Sequence, residues 1–364
     1  MSARIRTALT DLVGIDHPVV QTGMGWVAGP RLVAATANAG GLGILASATM
    51  TFEELEAAVA KTKAHTDKPF GVNIRADATD APERIDLLIR ENVRVASFAL
   101  APKKELIAKL KDAGVVVIPS IGAAKHAVKV ASWGADAVIV QGGEGGGHTG
   151  PVATTLLLPS VLDAVDIPVV AAGGFFDGRG LAAALSYGAA GVAMGTRFLL
   201  TQESTVPEAV KREYLQRGLQ DTTVSLKVDG MPHRVLNTEL VERLEHSGRW
   251  RGFTAAAANA AKFKSMTGMK WSTIVRDGLA MRKTKSLTWS QVIMAANTPM
   301  LLKAGLVEGN THAGVLASGQ VTGIIEDLPT VQELVDRIVD DAAARIDALA
   351  ALRHKAGEPS SPTV

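Results

Sequence analysis

The chain has 364 residues, of which 47% are apolar and 20% charged, with a formal net charge of +2. The apolar content is too high for a disordered chain, and no apolar run reaches the roughly 18 residues of a spanning helix. The absence of cysteine excludes disulfides, thiolate catalysis, iron–sulfur clusters and Cys-based zinc sites. The near-balanced charge gives no global reason to bind nucleic acid, and no secretory signal is recognisable. We therefore expect a cytoplasmic enzyme without a membrane or nucleic-acid partner.

Short apolar runs alternate with helix-length segments over the first 200 residues or so. The runs are apolar throughout rather than alternating, which is typical of strands that are buried on both faces. We predict eight strands, at Pro18–Gln21, Leu42–Leu45, Phe70–Asn73, Val95–Phe98, Val115–Pro119, Ala137–Gln141, Pro168–Ala172 and Gly191–Gly195.

The segments between these runs have the length and composition of helices, and several end at a glycine that suits a helix C-terminus. Helices are predicted at Phe52–Ala64, Pro102–Asp112, Ala123–Trp133 and Arg179–Tyr187, with terminal glycines at Gly40, Gly114, Gly134 and Gly188. Eight strand–helix units in about 215 residues favour an α/β fold of the (β/α)8, or TIM, barrel type over a doubly wound sheet. The first strand is followed by QTGMGW, which lacks the glycine pattern of a dinucleotide-binding turn.

The strand–helix rhythm breaks after Gln202. The following hundred residues or so are predicted to be mainly helical and basic, with a short strand-like stretch at Thr222–Val228. A Gly-rich segment follows from Thr311, and an amphipathic helix is expected from about Pro329 to Arg353. We predict a barrel at 1–218, a smaller helical substrate or lid domain at 219–310, a return segment packing on the barrel at 311–354, and a flexible tail at 355–364.

Two glycine turns follow the predicted seventh and eighth strands. They contain Gly173 and Gly174, and Gly195 with Thr196. In barrels of this type the loops after these two strands form a phosphate site, because glycines let backbone N–H groups approach an anion closely. Glycines also make tight turns without any ligand, but two such loops side by side favour a phosphate clamp.

The loop after the sixth strand, QGGEGGGHTG, surrounds one acid and one imidazole with glycines. His148 is predicted to act as a general acid or base, or to donate to a developing oxyanion. Glu144 is the second candidate, with bracing of the loop as the alternative. No HxH or HExxH spacing is present, so no protein-held metal is expected.

The side chains alone offer little chemistry, and the predicted phosphate clamp indicates a cofactor. Pyridoxal phosphate would require a lysine at a strand end, and none is found there. Flavin mononucleotide (FMN) fits better, since it has a single phosphate and a flat ring that needs backbone and amide partners such as Asn73 and Gln141.

Seven motifs in this order resemble those of the nitronate monooxygenase (2-nitropropane dioxygenase) family of FMN-dependent barrels, which includes flavin-type enoyl-ACP reductases. They are PVVQTGMGWVAG, GGLGIL, FGVNI, QGGEGGGHTG, IPVVAAGGFFDG, GAAGVAMGTRFL and LASGQVTGIIEDLPT, and they span most of the chain.

The resemblance implies a role for each matching position. The FMN phosphate is expected at the two glycine turns, and His148 matches the family's histidine near the reactive face of the flavin. The flavin ring is expected to contact Gly23, Met24, Asn73 and Gln141, with Ser318, Gly319 and Gln320 at its edge. The predicted cofactor-binding set is completed by Gly25, Ser120, Gly146 and Gly147.

The first loop reads TGMGW, which is nearer the reductase-like branch than the APM of many nitronate oxidisers. The chain is most similar to actinobacterial members that act as flavin dehydrogenases on coenzyme A (CoA) thioesters in steroid C/D-ring catabolism. This implies hydride exchange between flavin N5 and a carbon near the thioester carbonyl. The basic stretch 262–285 is hypothesised to bind the CoA phosphates, with a solvated helix face as the more ordinary interpretation.

Three alternatives stay open at this point. The first is a nitronate monooxygenase that passes electrons to O2, and the second is an NAD(P)H-dependent enoyl-thioester reductase. The third is a flavin-binding or scaffolding protein without turnover. The expected partner is a small-molecule substrate, a CoA thioester or a nitronate, with a homodimer as a possible assembly.

Overall fold

The computed structural model describes residues 4–99, 102–246 and 298–352. Eight parallel strands close into a barrel, and three short strands form a separate antiparallel sheet. In chain order the strands are β1 (Val19–Gln21), β2 (Leu42–Ala46), β3 (Phe70–Ile74), β4 (Val95–Phe98), β5 (Val116–Ile121), β6 (Val138–Gln141), β7 (Gly147–His148), β8 (Val169–Ala172), β9 (Gly191–Met194), β10 (Thr222–Ser225) and β11 (His233–Leu236).

The described helices lie around the barrel and across its carboxyl-terminal mouth. They are α1 (Ala8–Val13), α2 (Pro30–Asn38), α3 (Phe52–Lys63), α4 (Ala81–Arg90), α5 (Lys104–Asp112), α6 (Ala124–Ser132), α7 (Thr154–Leu162), α8 (Gly178–Tyr187), α9 (Thr196–Leu199), α10 (Glu208–Leu215), α11 (Glu239–His246), α12 (Thr298–Leu306), a 3-10 helix (Gln320–Ile324) and α13 (Val331–Ala351). Among these helices, none combines the length and apolar character that a membrane span requires.

The barrel strands run in the order β1-β2-β3-β4-β5-β6-β8-β9, and β9 pairs with β1 to close the cylinder. Every residue of β1, β2, β4, β8 and β9 is buried, because the interior of the barrel covers one face of each strand and the helices cover the other. Each of the eight predicted runs overlaps one barrel strand, so the predicted (β/α)8 barrel is confirmed.

The three-stranded sheet has the order β10-β11-β7 and lies outside the barrel. The hairpin β10–β11 pairs with the two residues of β7, with His233 opposite His148 and Arg234 opposite Gly147. This pairing fixes the hairpin to the loop that follows β6. The described part of 219–310 therefore contributes two strands and two helices, while the basic stretch 262–285 lies outside the described residues.

The segment after α12 returns to the barrel and packs on it. The longest described helix, α13, packs against α8 and α2. Gly178 begins α8 at this contact, where an added Cβ atom would lie 2.5 Å from the backbone nitrogen of Ala342, so only glycine permits the close approach. Arg197, which is 4% exposed, donates to the carboxylate and the carbonyl of Asp327 and ties α9 to the returning chain.

Candidate active site

A cavity of about 620 Å³ opens at the carboxyl ends of the barrel strands. The β10–β11 hairpin and α12 contribute to its lining, with apolar side chains such as Met231 and Leu302. In (β/α)8 barrels the loops at this end carry the active site, because the strand order brings loops from distant parts of the chain together there. Cavities of this size are typical of small-molecule and cofactor sites.

Most of the predicted site positions lie on this cavity. Ser318 and Gln320 are not part of its lining, but they flank Gly319, which is. The predicted positions that line the cavity are Gly23, Met24, Gly25, Asn73, Ser120, Gln141, Glu144, Gly146, Gly147, His148, Gly173, Gly174, Gly195, Thr196 and Gly319.

One side of the cavity is formed by the turns after β8 and β9, which we call the glycine wall (Gly173, Gly174, Gly195 and Thr196). Gly173 and Gly174 have φ values of +91° and +86°, which side-chain-bearing residues rarely adopt. An added Cβ atom at Gly195 would lie 3.3 Å from Thr22 Oγ1, so the absence of a side chain leaves this part of the wall open. A concave, backbone-lined surface of this kind fits a phosphate group.

The return segment closes directly onto the glycine wall. The backbone N–H of Gly319 donates to Thr196 Oγ1 at 2.9 Å, and that of Gln320 donates to the carbonyl of Glu144 at 3.0 Å. An added Cβ atom at Gly146 would lie 2.5 Å from the nitrogen of Gly319. The glycine-rich loop after β6 therefore permits close contact with the return segment, in addition to the room that it leaves for a flat ligand.

Glu144 braces this loop. Both of its carboxylate oxygens accept from the backbone N–H of Thr154, at 3.1 and 3.0 Å, and one also accepts from Thr154 Oγ1 at 2.7 Å. Thr154 is the first residue of α7, and Ala153 before it has no side-chain acceptor to cap the helix. The carboxylate therefore acts as the N-terminal cap of α7 from another part of the chain. This contact supports the bracing alternative for Glu144 and leaves His148 as the first candidate for proton transfer.

At the end of this loop, three side chains form what we call the histidine cluster (His148, Asp229 and His233). His148 Nε2 lies 2.6 Å from Asp229 Oδ2, and His233 Nδ1 lies 3.5 Å from the same oxygen. The two imidazole centroids are 4.7 Å apart. The side chain of Asp229 is 2% exposed, whereas that of His148 is 52% exposed. A buried carboxylate thus holds an accessible imidazole at the mouth of the barrel.

The charges within the histidine cluster follow from its hydrogen bonds. Burial alone would raise the pKa of the Asp229 carboxyl, but the hydrogen bonds from His148 and His233 outweigh this and hold the pKa well below its usual range. Burial lowers the pKa of His233, so this imidazole is neutral near pH 7. Asp229 is therefore an anion that accepts N–H groups from both rings.

The ligand atoms of the histidine cluster lie within 4.8 Å of one another, a spacing that also suits a metal ion. However, His148 Nε2 and Asp229 Oδ2 are only 2.6 Å apart. Two ligands on a tetrahedral zinc with bonds of 2.0–2.1 Å would be about 3.3 Å apart. The observed distance is that of a charge-assisted hydrogen bond, which favours proton chemistry at this cluster.

Several cavity residues were not predicted from the sequence. Asp229, Met231, Pro232 and His233 come from the β10–β11 hairpin, and Arg75 follows β3. The run DGMPH carries a usable signal, since a turn with an acid and an imidazole four residues apart follows the strand-like stretch Thr222–Val228. Nothing local shows, however, that this turn reaches His148.

A barrel with a glycine-lined wall and an imidazole at its carboxyl-terminal mouth is typical of cofactor-dependent barrel enzymes. The family model described as nitronate monooxygenase matches residues 6–84 and 81–341. The chain belongs to this family, whose members are flavin enzymes, and it is an oxidoreductase.

Two relatives and one solved structure are especially similar. The chain is 84% identical to a protein of Rhodococcus jostii over 96% of this chain and 99% of the relative, and 74% identical to one of Mycobacterium tuberculosis over 96% and 99%. Both relatives are named (3aS,4S,5R,7aS)-5-hydroxy-7a-methyl-1-oxo-octahydro-1H-indene-4-carboxyl-CoA dehydrogenase. The structure of FabK from Thermotoga maritima superposes with a TM-score of 0.80 at 32% identity, covering 96% of this chain and 100% of that one.

Proposed function

We propose that this chain is an FMN-dependent dehydrogenase that acts on a bicyclic CoA thioester derived from the C and D rings of a steroid. The proposal rests on one observation above all. A single cavity contains the glycine wall, a carboxylate-anchored imidazole and an apolar lining, in a chain that is 84% identical to a dehydrogenase named for such a thioester.

The glycine wall supports FMN as the flavin. The wall offers one compact, backbone-lined cradle, which suits a single terminal phosphate. Across the mouth, Asn73 and Gln141 line the cavity and present amide groups suited to a flavin ring. Part of this polarity is already used within the protein, since Gln141 Nε2 donates to the carbonyl of His148 at 2.8 Å and Asn73 Nδ2 donates to Ser97 Oγ at 3.3 Å. Met24 and Gly23 add an apolar edge to the same wall.

The substrate proposal agrees with the apolar character of the cavity. Phe175, Met231, Pro232, Leu302 and Leu306 line it and provide an apolar surface for a fused ring system. The proposed contacts between the CoA phosphates and the stretch 262–285 lie outside the described residues. A homodimer, a cytoplasmic location and the lack of a nucleic-acid partner stay predictions.

In the proposed reaction a carbon–carbon double bond forms beside the thioester carbonyl. His148 takes the proton from the carbon next to the carbonyl, and Asp229 stabilises the imidazolium that results, because its buried carboxylate contacts the same ring. The flavin, when bound, supplies the acceptor for the hydride that leaves the neighbouring carbon. The apolar lining holds the ring system and excludes water from the reacting carbons.

Anaerobic mixing tests this function. We expect the flavin absorbance of the holoprotein to bleach on addition of the octahydroindene-carboxyl-CoA thioester. The same acid without CoA is the matched control, and it should leave the absorbance unchanged because its α-proton is far less acidic. Bleaching by propionate-3-nitronate alone would overturn the proposal in favour of nitronate oxidation, which the family description supports.

A second candidate is the reverse reaction, the reduction of an unsaturated thioester by NADH or NADPH. The close superposition on FabK favours it. Rapid bleaching by NADH or NADPH, together with none by the saturated thioester, would establish the reductase and discard the dehydrogenase.

A further inference from the structure

The buried carboxylate of the histidine cluster comes from a part of the chain far from the barrel loops. Asp229 lies in the turn between β10 and β11, and it is 81 residues from His148 in sequence. The hairpin that carries it is fixed by the pairing of His233 with His148 across the sheet. The carboxylate is 2% exposed, so water does not compete for the oxygen that faces His148.

This arrangement determines which nitrogen of His148 carries a proton. An ionised carboxylate only accepts hydrogen bonds, so His148 Nε2, at 2.6 Å from Oδ2, must be the N–H nitrogen. The lone pair of the neutral ring is therefore on Nδ1. The same reasoning applies to His233, whose Nδ1 lies 3.5 Å from the shared oxygen. Its Nε2 is buried and has no hydrogen-bond partner within the described part of the chain.

We propose that Asp229 is a positioning residue that fixes His148 with Nδ1 as its basic nitrogen, and that His233, with the backbone N–H of Met231, is a further donor that holds the Asp229 carboxylate. The proposal rests on the proposed function, because it assigns the atom that receives the substrate proton. It goes beyond that function by placing two residues of the β10–β11 hairpin in the control of proton transfer.

Few of the described charged groups near His148 contact its ring directly. Asp229 and His233 face the ring directly. Glu144 lines the same cavity but is bound to Thr154, and Arg75 lines it with its Nε atom paired to Asp77 at 3.0 Å. Arg234, on the same strand as His233, donates to the carbonyl of Gly143 rather than to the cluster. Among these charged groups, Asp229 is therefore the anion in direct contact with the His148 ring.

The first test is Asp229→Asn, which keeps the shape and an acceptor oxygen but removes the charge. Because removal of the adjacent negative charge disfavours an imidazolium, we expect the pH below which kcat/KM falls to move down. The maximal rate should fall by about 100-fold or more, because the imidazolium loses its counter-ion. Flavin content and Tm serve as controls. A purely structural role would lower the flavin content and the Tm but leave the pH dependence of kcat/KM unchanged. That result would overturn the proposal.

A measurement without substrate separates this proposal from the proposed function. In protein labelled with 15N-histidine, the His148 ring signals, assigned with His148→Gln, should show the proton on Nε2 in the wild type. In Asp229→Asn we expect a mixture of tautomers. An unchanged tautomer would overturn the positioning role whether or not the thioester is turned over. The predicted change without any turnover would leave the positioning role intact and remove the proposed substrate.

His233 is tested by a matched pair of variants. His233→Gln keeps an N–H donor beside Asp229, and His233→Phe keeps a planar ring but removes the donor. We expect His233→Phe to move the pH below which kcat/KM falls by more than His233→Gln does. The direction should be the one expected for Asp229→Asn. Equal shifts for the two variants would show that the donor at this position does not matter, and would remove His233 from the proposal.

Discussion

The two sides of the cavity are built in different ways. The glycine wall consists of residues from two turns that directly follow β8 and β9, and its chemistry is that of the backbone. The histidine cluster consists of side chains from β7 and from a hairpin 81 residues further along the chain. The first is formed by any barrel that carries these turns, whereas the second requires the hairpin to pair with β7. Binding of the cofactor and control of the proton are thus expected to be separable.

The largest expected effect comes from Gly174→Val in the glycine wall. Gly174 has a φ of +86°, and a branched side chain would extend from the cradle toward Glu144, whose Cβ would lie 3.7 Å from the new Cβ. Each hydrogen bond to a charged group is worth about 1.5–3 kcal/mol, so blocking two of them should weaken FMN by about 100-fold or more. We expect the variant to purify without flavin absorbance.

Gly134→Val is the matched control for this experiment. Gly134 also has a positive φ, +97°, and the atom nearest to an added Cβ is Ile107 Cγ2 at 3.9 Å. It follows α6 at the opposite end of the barrel, so the backbone strain is similar but the cavity is not involved. Flavin retained in Gly134→Val and lost in Gly174→Val would establish that the glycine wall binds FMN. A Gly174→Val holoprotein with wild-type FMN affinity would contradict it.

The next effect is expected at the histidine cluster. His148→Ala should lower the turnover of the thioester by about 100-fold or more, because a positioned base is lost. The flavin content should remain, since the glycine wall is untouched. His126→Ala, on the exposed face of α6, is the control for a general loss of histidine and should have no such effect. Loss of flavin from His148→Ala would show that the two sides are not separable.

The smallest expected effect is on the pH dependence of stability. Burial lowers the pKa of both His233 and His17, which lie at opposite ends of the barrel. Since the unfolded chain then binds more protons than the folded one below about pH 6.5, the free energy of unfolding should fall as the pH decreases. Each imidazole contributes at most about 1.4 kcal/mol per pH unit to the slope of the free energy of unfolding against pH.

Denaturant unfolding of the holoprotein between pH 7.5 and 5.5 measures this slope. We expect His17→Gln and His233→Gln each to make the slope shallower, and the double variant more so. A stability that does not depend on pH in the wild type would contradict the buried, neutral state of these imidazoles.

Much of the fold follows from local sequence. The continuous apolar runs that became β1 to β6, β8 and β9 are characteristic of strands covered on both sides, and the glycines at positions 114, 134 and 188 adopt the positive φ that ends a helix. The hairpin strand β11 was not predicted, because its four residues contain a histidine and an arginine at positions that only the neighbouring strands make favourable.

The sequence by itself determined the barrel and the glycine wall, because burial on two faces and freedom at positive φ are properties of short segments. The tertiary structure decided what the polar side chains do. It placed Glu144 on the N-terminus of α7 as a cap, and it brought Asp229 and His233 to His148. The hydrogen bonds of a carboxylate depend on which distant backbone or ring is within about 3 Å, and no local pattern encodes that distance.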